Sequence, residues 1–240
     1  MAVTEPRPKT PPAPVPWWRR PWVAPLAALI LVFFAMSLPR YATLDPALSR
    51  VPPVEGFALH YPLLVAHILF GTVAMVTGFL QVWPWFRRRF PAAHRHVGRV
   101  YVFGGVLPAG LAGLVVGAVS PFGPVTRVSN VVLAVLWLAF TAVGLRRIRQ
   151  RRHAEHRVWM LRSVTLTMSI IFNRVVGMVV GPLLGPRVDT LFGGSELAMM
   201  QTVALLSAWL GWVVPLAAVE WWLRRGSRRA QSQMRQTGRV

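Results

Sequence analysis

Apolar residues fall into six runs separated by short polar segments, at about residues 22–38, 61–83, 97–119, 128–145, 158–180 and 197–222. Several reach the roughly 20 residues that an α-helix needs to cross the hydrocarbon core of a bilayer. The pattern predicts an all-α integral membrane bundle of six transmembrane helices. Proline marks several limits: Pro39 ends the first run, Pro62 suits a first helical turn, and Pro215 predicts a kink in the sixth. The first run, with its extended basic leader, reads as an uncleaved anchor, and "AMS" at its end is only a weak cleavage signal.

The runs divide the chain into a Pro-rich basic arm at 1–20, expected to be disordered, a membrane domain at 21–223, and a basic tail at 224–240. Within the membrane domain, small and polar residues recur at steps of three and four. His67, Gly71, Ala74, Gly78 and Gln81 share one stripe, and His156, Met160, Ser163, Thr167, Ile170, Arg174, Gly177 and Gly181 share another. Gly105, Ala109, Gly113 and Gly117 make a third. In lipid such stripes pack helix against helix. That accounts for the glycines, but not for His67 or Arg174.

Composition agrees with the pattern: 54% of residues are hydrophobic and 14% charged, against roughly 25% charged in a soluble domain. The net charge of +20 would suit a nucleic-acid partner if the basic residues were clustered, but they fall in alternate loops. With both termini inside, 22 of the 27 Lys and Arg residues lie in inner segments or at the inner ends of the runs that leave them, as the positive-inside rule requires. Trp17, Trp18, Trp22, Trp83, Trp85, Trp159, Trp221 and Trp222 gather at the same inner ends, the interfacial preference of indole rings. The expected partners are therefore the lipid bilayer and anionic headgroups on the cytoplasmic face, with no nucleic acid.

The chain has no cysteine, which excludes disulfides, iron–sulfur clusters and covalent haem attachment and leaves histidine as the strong nitrogen ligand. Two inner clusters stand out, His94 with Arg95 and Arg99, and His156 with Arg157 and Arg162. Each follows an Arg-rich loop and precedes a run that leads outward. If the two hairpins pack in parallel, His94 and His156 face each other, a pair that can ligate haem iron while the arginines match propionates. The alternative is that both clusters hold phospholipid headgroups. Met160 is a further candidate axial ligand.

On the outer side, Arg174 lies about 9 Å below the end of its helix, and His67 about as deep in its own. A charge at that depth needs a partner, hydration or a path to the surface. With Asn173 and Asn130 near the same level, the functional reading is a site for a carbonyl-bearing or anionic ligand such as a quinone or a haem propionate. The alternative is an arginine that snorkels and a histidine bonded to backbone. No second outer histidine pairs with His67, since His60 is on or just before the same helix. The seven acids, Glu5, Asp45, Glu55, Glu155, Asp189, Glu196 and Glu220, give no clear intramembrane carboxylate, which disfavours an ion-coupled transporter. There is no Walker loop, zinc-protease motif or G-x-S-x-G elbow.

Three segments, HILFGTVAMVTGFLQ, RRRFPAAHRHVGRVYV and HRVWMLRSVTLT, together with Arg174, resemble a family of bacterial multi-pass membrane proteins known as domain of unknown function twenty-three hundred and six. The likeness runs from about His67 to Arg174, and the family-like core is taken as 61–182. It implies a bacterial cytoplasmic membrane protein and draws attention to His67, Gln81, His94, Arg95, Gly98, Arg99, Tyr101, His156, Arg157, Trp159, Met160, Arg162 and Arg174. It also suggests an affinity to di-haem b-type cytochromes. Haem b or quinone are accordingly the expected cofactors. A non-enzymatic protein gripping anionic lipid or a partner membrane subunit, and a small-molecule transporter, are the alternatives.

Overall fold

The computed structural model describes residues 21–237, with side chains as far as 226. The disordered arm expected at 1–20 lies outside the described residues. Every regular element among them is helical. In chain order these are α1 (Val23–Ser37), α2 (Pro39–Ala42), α3 (His60–Val82), α4 (Pro84–Arg89), α5 (Pro91–Arg99), a π-helical stretch (Val100–Val106), α6 (Leu107–Ala118), α7 (Pro124–Arg149), α8 (His153–Leu184), α9 (Val188–Phe192) and α10 (Glu196–Thr237), with two short 3-10 turns.

Five segments are long and apolar enough to cross a membrane: His60–Val82, Pro91–Ala118, Pro124–Arg149, His153–Phe192 and Glu196–Gly226. The first expected span differs. Helix α1 has 15 residues, about 22 Å at the helical rise, and falls short of the ~30 Å hydrocarbon core. It breaks at its junction with Pro39 and resumes only for the single turn of α2.

Proline sets other boundaries too, because it drives the preceding residue out of the helical region. Trp83, before Pro84, has ψ 110° and ends α3. Phe90, before Pro91, has ψ 67° and divides α4 from α5. Pro108, by contrast, sits inside a continuous helix. It cannot donate to a carbonyl four residues back and its ring would strike that carbonyl. The widened π turn just ahead of it, at Val100–Val106, relieves both problems.

Short connections make successive long helices antiparallel. Only residues 150–152 join α7 to α8, with Arg151 at φ +60°. Small residues then let the helices approach: a Cβ on Gly105 would lie 2.9 Å from the Ala74 Cα of α3. The centre is filled by Ala74, Tyr101, Val106, Ala109, Trp137, Val164, Leu166 and Trp212. Tyr101 is wholly buried, and its hydroxyl lies 2.6 Å from Ser163 Oγ and 2.9 Å from Thr167 Oγ1. Thr141 joins Ser163 at 2.6 Å, and the Trp137 indole N–H donates to Thr167 Oγ1 at 2.9 Å. This hydroxyl network ties the π stretch, α7 and α8 together where water is absent, and where every polar group needs a partner from the protein. Outside, Leu69, Phe103, Leu111, Val135 and Leu210 are exposed. That is a poor surface for water and a suitable one for acyl chains.

Candidate functional site

One end of the bundle carries the arginines that close α4, α7 and α10. The other is where α3 and α7 begin, and two cavities open near it. The narrower, about 310 Å³, reaches between α3, α6, α7, α8 and α10. The wider, about 690 Å³, lies among α1, α8 and α10. They share a polar wall that includes Arg50, Asn130, Asn173 and Arg174.

His67 and Arg174 both line the narrower chamber, so the structure brings this sequence-derived pair together. His67 Nδ1 lies 2.8 Å from the Ala109 carbonyl of α6. A carbonyl can only accept, so Nδ1 carries the hydrogen and Nε2 is left with a lone pair. Gly113 makes room for the ring, since a Cβ there would lie 2.6 Å from Nδ1. Nε2 makes no hydrogen bond among the described residues, and His67 lines the chamber. The indoles of Trp137 and Trp212 are also wall residues. Both are anchored, Trp137 by Thr167 and Trp212 by Ser129 Oγ at 3.0 Å.

Arg174 takes part in none of the ion pairs found among the described residues, which are Arg147–Glu155, Arg152–Glu155 and Arg162–Glu220. Another cation, Arg50, interacts with it electrostatically, as does the Tyr41 phenol. Neither chamber has an Asp or Glu in its walls. Arg50, Tyr41, Trp137 and Trp212 escaped sequence reasoning. Arg50 and Tyr41 belong to a loop without periodicity, and the two tryptophans sit in mid-run, away from the interfacial belt. The detectable signal was an outer-loop arginine with no helix of its own to serve.

At the arginine-rich end, His94 and His156 come within electrostatic reach of each other. His156 Nδ1 is 2.8 Å from the Gly144 carbonyl, while His94 Nδ1 is buried without a partner. Neither histidine lines either of the two cavities. Several residues read from the sequence as cofactor contacts have other work here. Gln81 donates to the His94 carbonyl at 2.8 Å and so fastens α5 to α3. Arg162 makes a two-pronged pair with Glu220 of α10, at 2.5 Å and 3.0 Å, and stacks 4.4 Å from the Trp159 ring. A carboxylate thus occupies the Nε–Nη2 edge of its guanidinium. Tyr101 belongs to the closed network, and the Met160 sulfur packs against Gly144, 2.7 Å from where a Cβ would stand. Arg95, Arg99 and Arg157 are exposed.

No curated protein and no solved structure matches the chain. The family model described as "Predicted membrane protein (DUF2306)" matches residues 64–223, a stretch that takes in His67, Arg174, both inner histidines and all five long apolar segments in whole or in large part, and the chain belongs to that family.

Proposed function

We propose that this is a redox-associated protein of the bacterial cytoplasmic membrane that takes a quinone into the narrower chamber, with both termini and the arginine-rich end in the cytoplasm. The orientation follows from the distribution of arginine and tryptophan, with α1 and α2 completing a sixth crossing before the domain that ends near 223. The observation that carries the ligand is the convergence of His67 and Arg174 on one chamber walled by Trp137 and Trp212. A quinone needs a flat apolar slot and a polar group at each carbonyl. The volume of about 310 Å³ suits a single ring, at the small end of ligand pockets. Arg174 and the Asn130 and Asn173 amides donate to a carbonyl. His67, held as the Nδ1–H tautomer, accepts from a quinol hydroxyl.

A haem b between His94 and His156 has one supporting feature, the bond from His156 Nδ1 to a backbone carbonyl, which is how ligating histidines are commonly oriented. Neither histidine lines either of the two cavities described above. Lipid or partner-subunit binding by the exposed Arg95, Arg99 and Arg157 needs no cofactor and is the non-redox alternative.

The test begins with protein purified in mild detergent. Solvent extraction should release a quinone, and a short-tailed benzoquinone should quench tryptophan fluorescence saturably. His67→Ala and Arg174→Ala should each weaken that binding about tenfold, the loss of one charge-assisted or buried hydrogen bond. Absence of both extracted quinone and saturable quenching would dispose of the proposal, and a Soret band would move the redox role to the inner histidines.

A further inference from the structure

The wider chamber poses a separate problem of charge. Arg50 and Arg174 share its wall and feel each other's charge, yet no acidic residue lines it. Arg50 has one long hydrogen bond, 3.5 Å to the Met36 carbonyl, and takes part in no ion pair among the described residues. Asp45 and Glu55, in the same connecting segment, form no ion pair either. Two guanidiniums beside hydrocarbon repel each other and invite an anion.

A second observation is independent of charge. Thr126 and Ser207, on α7 and α10, are wall residues of the same chamber, only 4% and 6% exposed. Their hydroxyl oxygens are buried without any hydrogen-bond partner. An orphaned buried hydroxyl is costly, and native proteins seldom leave one unmatched. The Asn130 and Asn173 amides face the same space. Together these gather two positive charges, two amides and two unpartnered hydroxyls around one chamber that has no acidic residue in its wall.

The rest of the wall is apolar and adaptable. Met36, Met178, Met199 and Met200 contribute flexible thioethers, and Leu29, Val32, Met36, Met178 and Met200 are exposed on the rim between α1, α8 and α10. A ligand held by its head at the arginines would lie with its tail along this rim and continue into the bilayer.

We propose that the wider chamber is a headgroup site for a lipid phosphate monoester, a phosphate carried on a single apolar anchor. A monoester bears about −1.5 to −2 charge and three acceptor oxygens at neutral pH, which matches two arginines and the surrounding hydroxyl and amide donors. A carboxylate or a phosphodiester brings one charge and would leave a guanidinium unmatched. Arg50, Asn130, Asn173 and Arg174 are common to both walls, but Thr126 and Ser207 line the wider chamber and not the narrower, and His67 the narrower and not the wider, so substitutions at those positions separate this site from the quinone reading.

Full-length protein in phosphatidylcholine nanodiscs, doped with phosphatidic acid or with the same fraction of phosphatidylglycerol, provides the test. Native mass spectrometry and displacement of a fluorescent phosphatidic acid give stoichiometry and affinity. One phosphatidic acid per chain should be retained in preference to phosphatidylglycerol. Arg50→Gln, in an exposed loop where folding is not at risk, should weaken it about tenfold. Thr126→Val combined with Ser207→Ala should weaken it by about three- to tenfold. His67→Ala, which abolishes the quinone response if that reading holds, should leave phosphatidic acid binding intact, so the two readings fail separately. Equal retention of both lipids with no response to Arg50→Gln, and loss only in Arg88→Gln with Arg89→Gln, would overturn the site in favour of diffuse attraction to the basic face. Full displacement by inorganic phosphate at comparable concentration would overturn the role of the tail.

Discussion

Removing one oxygen from the centre of the bundle tests whether the hydroxyl network holds it together. Tyr101→Phe deletes a hydroxyl that lies 2.6 Å from Ser163 and 2.9 Å from Thr167, on a side chain with no accessible surface. Neither partner is orphaned by the change. Ser163 keeps Thr141, and Thr167 keeps the Trp137 N–H and the Ser163 carbonyl. The loss is therefore two net hydrogen bonds and not the larger penalty of a stranded polar group. Side-chain hydrogen bonds inside membrane proteins average about 0.6 kcal/mol, so Tyr101→Phe should destabilise by about 1 kcal/mol. Tyr101→Leu should cost about 2–3 kcal/mol more, because the ring also fills the groove over Gly78, where a Cβ would lie 3.1 Å from Cε2. The assay is equilibrium unfolding in mixed micelles, with Ser163→Ala completing a double-mutant cycle. A coupling energy of about 0.5–1.5 kcal/mol is expected for residues that share a hydrogen bond. Zero coupling, or a phenylalanine variant as stable as the parent, would refute the network as a stabilising element.

Two neighbouring glycines should behave oppositely: Gly105→Ala drives a Cβ to 2.9 Å from the Ala74 backbone and should cost about 1–3 kcal/mol as overpacking, whereas Gly104→Ala meets only Val100 Cγ1 at 3.5 Å and should be neutral or gain up to about 1 kcal/mol of helix propensity. Thermal unfolding of the pair in detergent decides, and similar midpoints would contradict the packing described. Gly113→Ala places a methyl 2.6 Å from His67 Nδ1 and should impair quinone quenching much as His67→Ala does while leaving phosphatidic acid retention unchanged. A variant that still quenches normally would show that the His67 ring position is immaterial.

Much of the fold was legible because a bilayer imposes a minimum apolar length. The second run, read as 61–83, is α3 at His60–Val82. Helix α8 runs from His153 to Leu184, beyond the 158–180 apolar stretch, because hydrophobicity marks the hydrocarbon layer while helical hydrogen bonding continues past it. The common level of His67 and Arg174 was readable from the helical rise alone. What was not readable joins residues far apart in sequence. Arg162 and Glu220 are separated by 58 positions, so nothing local disclosed that the arginine was already engaged. Arg50 was hidden for a related reason: a loop has no periodicity to say which way its residues face. Tyr101 matched the family pattern, but a pattern does not separate a residue that touches a ligand from one that joins helices.

The under-wound turn at Val100–Val106 has a bearing on how this chain tolerates changes of length. Elsewhere in a long helix, losing one residue would swing all that follows by about 100° and carry glycines and histidines off their contacts. Here the surplus residue is already looped into the coil, so its removal would restore ordinary winding with both flanks still in phase. The ring of Pro108 would then press on the carbonyl four places before it, at about 3 kcal/mol. Insertion and proline are thus a matched pair, and a chain of this kind that dispensed with one would have reason to dispense with the other.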